Sequence, residues 1–337
     1  MLYVTTRNSR DVFTVHRALT ERRPPDGGHY LPFRHPRFSA EELDALLQKP
    51  FHQCVAEILN LQFHTKLTGW DLDFCIGRNP VRTTPLRHRI LLAECWHTPG
   101  YRFDRIVSAL SARVGGRAEE VSGWTEIGIR LAVLFGLFSD LRRNGINEAD
   151  ISCVSGDFLM PISAWYARHW GLPIRNILCC CNENNSLWGL VCHGQMRTDG
   201  VCIPTILPGA DVAVPVHLER LIYECGGVQE TERYLEICRR GGTYCPPESV
   251  LSKLRGGISV SVVSSRRLCE TIPGLYKTHG VLVSPCTALA YAGLLDHRAK
   301  TGSTGYALIW SEESPSAEAE TISNILEIPA DMLPELL

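Results

Sequence analysis

The stretch from Ile151 to Cys181 limits the possible folds more than any other. Ile151-Ser152-Cys153-Val154 reads as a strand, Ser155-Gly156-Asp157-Phe158-Leu159-Met160 as a turn, and a helix then runs to Trp170 with Gly171 as its stop. Asn176 to Cys181 reads as the next strand. Strand–helix–strand spacing of this kind implies a parallel sheet covered on both faces, so the chain is of the α/β class. Ahead of it, residues 125–143 are apolar nearly all round, which marks a buried helix, and Asn144-Gly145 ends it.

The opening residues read as a compact unit. Tyr3-Val4-Thr5-Thr6 is strand-like, Pro24-Pro25-Asp26-Gly27-Gly28 is a turn, and His29-Tyr30-Leu31-Pro32 is a short extended piece. Ser39-Ala40-Glu41-Glu42 forms a capping box that starts a helix, and Phe51, Val55, Ile58 and Leu59 mark another. Residues 63–93 show less regular patterning. At the end of the chain, Ser316 is expected to cap a final helix through Ile322 and Ile325.

Composition excludes several partners. A net charge of −2 over 337 residues offers no electrostatic footprint for nucleic acid or an anionic membrane. No run of about 20 apolar residues exists, and the first residues lack a signal-peptide core, so a cytoplasmic protein is expected. The 14 cysteines then read as free thiols. Cys179-Cys180-Cys181, with Cys192-His193, could be metal ligands. A buried strand of small apolar residues is the plainer reading, since Cys179 and Cys181 share one face at most, and no metal is expected.

The richest chemistry lies where the apolar run Ile90-Leu91-Leu92-Ala93 passes through Glu94-Cys95-Trp96-His97-Thr98-Pro99-Gly100-Tyr101-Arg102-Phe103-Asp104-Arg105 into a helix carrying Ile106, Val107, Leu110 and Val114. Strand, polar turn and helix start make a common setting for an active site. His97 reads either as an acid/base group or as a histidine satisfying a buried carbonyl. Glu94 and Asp104 read either as an acid/base pair or as ion-pair partners of Arg105 and Arg102.

This stretch resembles the motif E-L-F-H-G-P-T-x-A-F-K-D of threonine synthase, an enzyme family that uses pyridoxal phosphate (PLP). Glu94, His97, Pro99 and Phe103 keep the pattern, but Asp104 stands where the Schiff-base lysine belongs. Val154 to Ile174 is similar, without a gap, to P-T-G-N-F-G-N-I-L-A-G-Y-Y-A-K-K-M-G-L-P-I, and Cys181-Asn182-Glu183-Asn184 to T-N-E-N. Asp26 to Pro32 resembles D-G-G-L-Y-V-P and is expected mostly to shape a turn. Val214-Pro215-Val216-His217-Leu218-Glu219-Arg220-Leu221 resembles V-P-S-N-L-E-R-L.

The resemblance implies a PLP fold-type-II architecture, related to the tryptophan synthase beta chain, with a mostly deleted small domain. It implies an N-terminal domain over 1–78, a small-domain remnant with connecting helix over 79–145, and a large domain with a parallel sheet over 146–337. It implies a cofactor-phosphate turn at Ser155, Gly156, Asp157 and Phe158, and a hydroxyl near the pyridine nitrogen at Ser311.

Each of these parts departs from the pattern. A carboxylate has no amine with which to form an imine, so Asp104 cannot hold the cofactor, and no catalytic residue is assigned. Asp157 adds a negative charge to the phosphate turn, where two charges about 4 Å apart repel by about 4 kcal/mol at an effective dielectric of about 20. Leu159 adds a side chain to the same turn.

Of the lysines, Lys49, Lys66, Lys253, Lys277 and Lys300, none follows a strand and opens a helix, and Lys277 reads as a helix-end charge. The expectation is a catalytically silent relative, without cofactor, acting as scaffold, regulator or partner subunit, either as a homo-oligomer or with an intact homologue. The alternatives are an active PLP-dependent lyase related to the conversion of O-phosphohomoserine to threonine, which would keep PLP, and a metabolite-binding protein that reuses the cleft.

Overall fold

In the computed structural model, residues 1–96, 103–114, 123–329 and 332 are described, with the backbone alone for residues 103 and 104. The opening unit pairs β1 (Tyr3–Thr5) antiparallel with β2 (Tyr30–Pro32), with α1 (Val15–Thr20) between them. Three helices follow, α2 (Ala40–Leu47), α3 (Phe51–Phe63) and α4 (Gly69–Ile76). The capping box at α2 forms as read, Ser39 accepting from the Glu42 amide and Glu42 from the Ser39 amide. A second box, Thr68 with Asp71, starts α4, in a stretch whose apolar pattern was too short to reveal a helix.

Next come β3 (Arg82–Leu86), β4 (Ile90–Glu94), α5 (Phe103–Val114) and α6 (Gly123–Arg143). The alternating half contains β5 (Ala149–Val154), α7 (Leu159–His169), β6 (Ile174–Cys181), α8 (Ser186–His193), β7 (Met196–Arg197), α9 (Leu218–Arg240) and β8 (Thr243–Tyr244). It continues with α10 (Glu248–Arg255), β9 (Ile258–Val262), α11 (Ser265–His279), α12 (Pro285–Thr301), β10 (Ala307–Ser311) and α13 (Ala319–Leu326). Ser314, not Ser316, makes the last cap, accepting from the Ser316 amide at the start of a 3-10 turn over Pro315–Glu318 that leads into α13.

The main sheet has the order β3-β4-β10-β5-β6-β9. β4, β10, β5, β6 and β9 run parallel, and β3 adds an antiparallel edge. The sheet is therefore mixed rather than purely parallel, and the edge strand tolerates Pro85, which would cost a ladder bond in the interior. β3 and β4 come from the segment read as a small-domain remnant, yet they complete the same sheet as β5 and β6. Residues 115–122 alone separate α5 from α6, so the several strand–helix units that the resemblance places there have no room.

α6 is buried on nearly every side, as its sequence requires. Two glycines let α3 approach it closely. A Cβ at Gly136 would lie 2.7 Å from Val55 Cγ2, and one at Gly128 would lie 2.5 Å from Gln62 Oε1. β6 buries Cys179, Cys180 and Cys181, and burial pushes the last two thiols up to about 12 and about 11, so they serve as small apolar fillers. Among the described residues no group of three or more His, Cys, Asp or Glu could hold a metal ion, and no helix is long and apolar enough to cross a membrane.

Candidate functional site

A cleft of about 360 Å³ opens where β5 and β10 end at their carboxyl edges. This is the end of a parallel sheet where ligands bind in open α/β folds. Its floor is the turn after β5, Ser155 to Asp157, and the start of α7. Gly156 has φ +41°, and Phe158 has φ +74° with its side chain wholly buried, so the turn carries backbone strain at a non-glycine residue.

Two of the turn's amides are engaged from within. The Phe158 amide donates to the Ser155 carbonyl at 2.7 Å, and the Leu159 amide donates to Asp157 Oδ1 at 2.9 Å. α7 begins Leu159-Met160-Pro161, and proline has no N–H, so a second donor of the first helical turn is missing. A cofactor phosphate needs several free amides at such a point. Here one is capped by a carboxylate, one is absent, and the carboxylate itself is negative. The turn does not fit a phosphate.

The walls are ionic and hydroxylic. Arg130 of α6 meets Glu312 in a bidentate pair, at 2.6 Å from Nε and 2.8 Å from Nη2, and Trp310 Nε1 donates to the same carboxylate at 2.8 Å. Ser284, Thr287 and Ser311 form a buried hydroxyl chain with links of 2.9 and 2.8 Å. Ser311 thus spends its hydroxyl on Thr287, while its chain neighbours Trp310 and Glu312 line the cleft. Burial raises the Glu313 carboxyl above its ordinary value despite the nearby Cys286 thiol.

The residues around the expected lysine position divide. Asp104 sits in the first turn of α5, just past β4, where the sequence places it, and its side chain lies outside the described residues, as does all of His97. Glu94 is buried at the end of β4, where it accepts from Thr84 Oγ1 at 2.6 Å and meets Arg82 Nε at 3.7 Å across the hairpin. All five lysines are described and none lines the cleft. Lys49 pairs with Glu57, Lys253 donates to the Cys225 carbonyl, and Lys66, Lys277 and Lys300 are exposed.

Two motifs that lie far apart in sequence meet beside the cleft. Glu219, 4% exposed, accepts from Thr6 Oγ1 at 2.5 Å and from Arg7 Nε and Nη2 at 3.2 Å each, with His29 Nε2 at 3.8 Å. Arg220, 1% exposed, donates to the Tyr30 carbonyl and to His217 Nδ1. The segment 26–32 therefore does more than shape a turn: it is half of a clamp that ties the opening unit to α9.

Guanidinium only donates, so His217 accepts at Nδ1 and carries its proton on Nε2, 3.7 Å from Asp157 Oδ2. Burial, then the charge of Arg220, pushes His217 down to about 2, and the same causes push His29 far below its ordinary value, so both rings are neutral. The sequence showed these motifs without showing that they face one another. It also showed Pro161, whose meaning depends on its place in the first turn of α7.

Residues 2–79 match the family described as the threonine synthase N terminus. The chain is 25% identical over 140 residues to threonine synthase of Pseudomonas aeruginosa, and 24% identical over 148 residues to human threonine synthase-like 1. The first match spans 41% of this chain and 30% of the relative; the second spans 43% and 20%.

Among solved structures, PLP-bound threonine synthase from Brucella melitensis superposes with a TM-score of 0.81 at 16% identity, over 96% of this chain and 91% of that one. The yeast enzyme superposes with a TM-score of 0.81 at 15% identity, over 100% and 94%. Those two likenesses show the shared fold, fold type II, and the N-terminal match is confined to residues 2–79. The chain is thus similar to the threonine synthase family in its N-terminal segment and shares the fold of its solved structures.

Proposed function

We propose that this protein is a catalytically silent relative of threonine synthase that acts as a scaffold, a regulator or a partner subunit. The observation that carries this reading is the position of the lysines. All five lie away from the cleft, and an acid occupies position 104. An enzyme of this kind must hold an amine within hydrogen-bond reach of the reacting carbon, and none is available. The carboxylate that caps the phosphate turn supports the same reading. A partner, either a second copy or an intact homologue, accounts for retention of the fold without its chemistry. The test is the absorbance of purified protein mixed with PLP. This reading expects the spectrum of free PLP and no borohydride-resistant label in the cleft. A saturable, reducible band in the visible would overturn it, and a strictly monomeric species in light scattering would count against self-association.

A second reading has one observation in its favour. The cleft persists at about 360 Å³, with Arg130, Glu312 and Glu313 at its wall, which is enough for a small polar metabolite. A thermal shift with amino acids but not with PLP would favour it.

A further inference from the structure

We infer that Asp157 is the turn's built-in anion: its carboxylate takes the place that a bound phosphate would fill, and so closes the site from within. Three observations converge on this residue. Oδ1 accepts from the Leu159 amide at 2.9 Å, the first amide of α7. The Asp157 carbonyl accepts from the His217 amide at 2.9 Å, which fixes the turn to the clamp. The proton that Arg220 forces onto His217 Nε2 faces Oδ2 at 3.7 Å.

A helix start attracts negative charge through its amides and its dipole. Here the chain supplies that charge itself, at a residue whose φ-positive neighbours, Gly156 and Phe158, bend the carboxylate back over the amide. Pro161 removes the donor that could have held a second anion beside it. The first amide of α7 thus has its anion without a ligand, and the anions this carboxylate disfavours are phosphate monoesters as a class, PLP among them. This holds whether or not an amine reaches the cleft, so it stands apart from the argument on the lysines.

The experiment titrates inorganic phosphate, PLP and phosphate-free pyridoxal into the full chain and into Asp157→Gly and Asp157→Asn, by calorimetry. The wild type is expected to show no phosphate-dependent binding. Asp157→Gly uncovers the amide and removes the charge, and is expected to bind phosphate and PLP at least about tenfold more tightly than wild type, with pyridoxal unchanged. The gain is smaller than full repulsion implies because the Asp157 side chain is about half exposed and screened. Asp157→Asn keeps the acceptor and loses only the charge, so it is expected to fall between the two.

Melting curves accompany each titration, and Asp157→Asn preserves the cap if glycine loosens the turn. Phosphate binding by wild type as tight as by the variants would overturn the inference, and so would folded variants that gain nothing. If Asp157→Gly gains phosphate and a borohydride-stable lysine adduct forms as well, the inference stands and the catalytically silent reading falls.

Discussion

The clamp and the cleft lie side by side and have opposite characters. In the clamp, every charge is met by a specific partner: Glu219 by Thr6, Arg7 and His29, and Arg220 by Tyr30 and His217. In the cleft, the groups that would act on a ligand are turned on each other, Arg130 on Glu312, Ser311 on Thr287 and Asp157 on its own helix. The clamp buries charges whose loss would leave a partner stranded, so it tolerates little change. The cleft's pairs satisfy one another directly, side chain to side chain.

The sharpest way to break the comparison is Glu219→Ala. It strands Thr6, Arg7 and His29 around a buried hole, and is expected to cost about 3–5 kcal/mol in denaturant melts. A cost below that of the cleft variants would reverse the ranking.

The next effect is a dependence on pH. His29 and His217 titrate near 6.5 when unfolded and far lower when folded, so the unfolded chain binds more protons below pH 6.5. Clamp stability is therefore whole above about pH 6.5, and falls as pH drops, by about 1.4 kcal/mol per unit for each ring. His217→Asn, which installs the residue of the related pattern, is expected to flatten part of that slope in urea melts at pH 7.5 and 5.0.

Arg130→Met tests the cleft wall. Glu312 keeps Trp310 as a partner, so a loss of about 1–2 kcal/mol is expected, well under that of the clamp. Ser311→Ala is the smallest change. Thr287 keeps Ser284, and a shift of about 1 kcal/mol or less in the same melts is expected. A larger loss would make Ser311 a structural anchor rather than a spent hydroxyl.

Much of this was legible in the sequence because it was local. The capping box at Ser39, the all-round apolar α6 and the unit from Ile151 to Cys181 each follow from spacing within one element. The short helix α4 escaped because its apolar face spans only Leu72, Cys75 and Ile76, and its capping box was the better signal. The antiparallel edge formed by β3 also escaped, because strand order is set by tertiary packing and no local pattern encodes it. At the site, the degenerate turn and the missing lysine were visible as residue types. That Asp157 caps the Leu159 amide depends on the bend of the turn, and that segment 214–221 grips segment 26–32 depends on contacts between residues 190 positions apart.

No lysine is among the residues that line the cleft. The most direct test is the intact mass, followed by peptide mapping, of the full chain incubated with PLP and then reduced with borohydride. The account predicts only scattered, substoichiometric labelling of exposed lysines such as Lys66, Lys277 and Lys300, unaffected by competing pyridoxal. One lysine labelled to completion, and protected when a ligand fills the cleft, would contradict it.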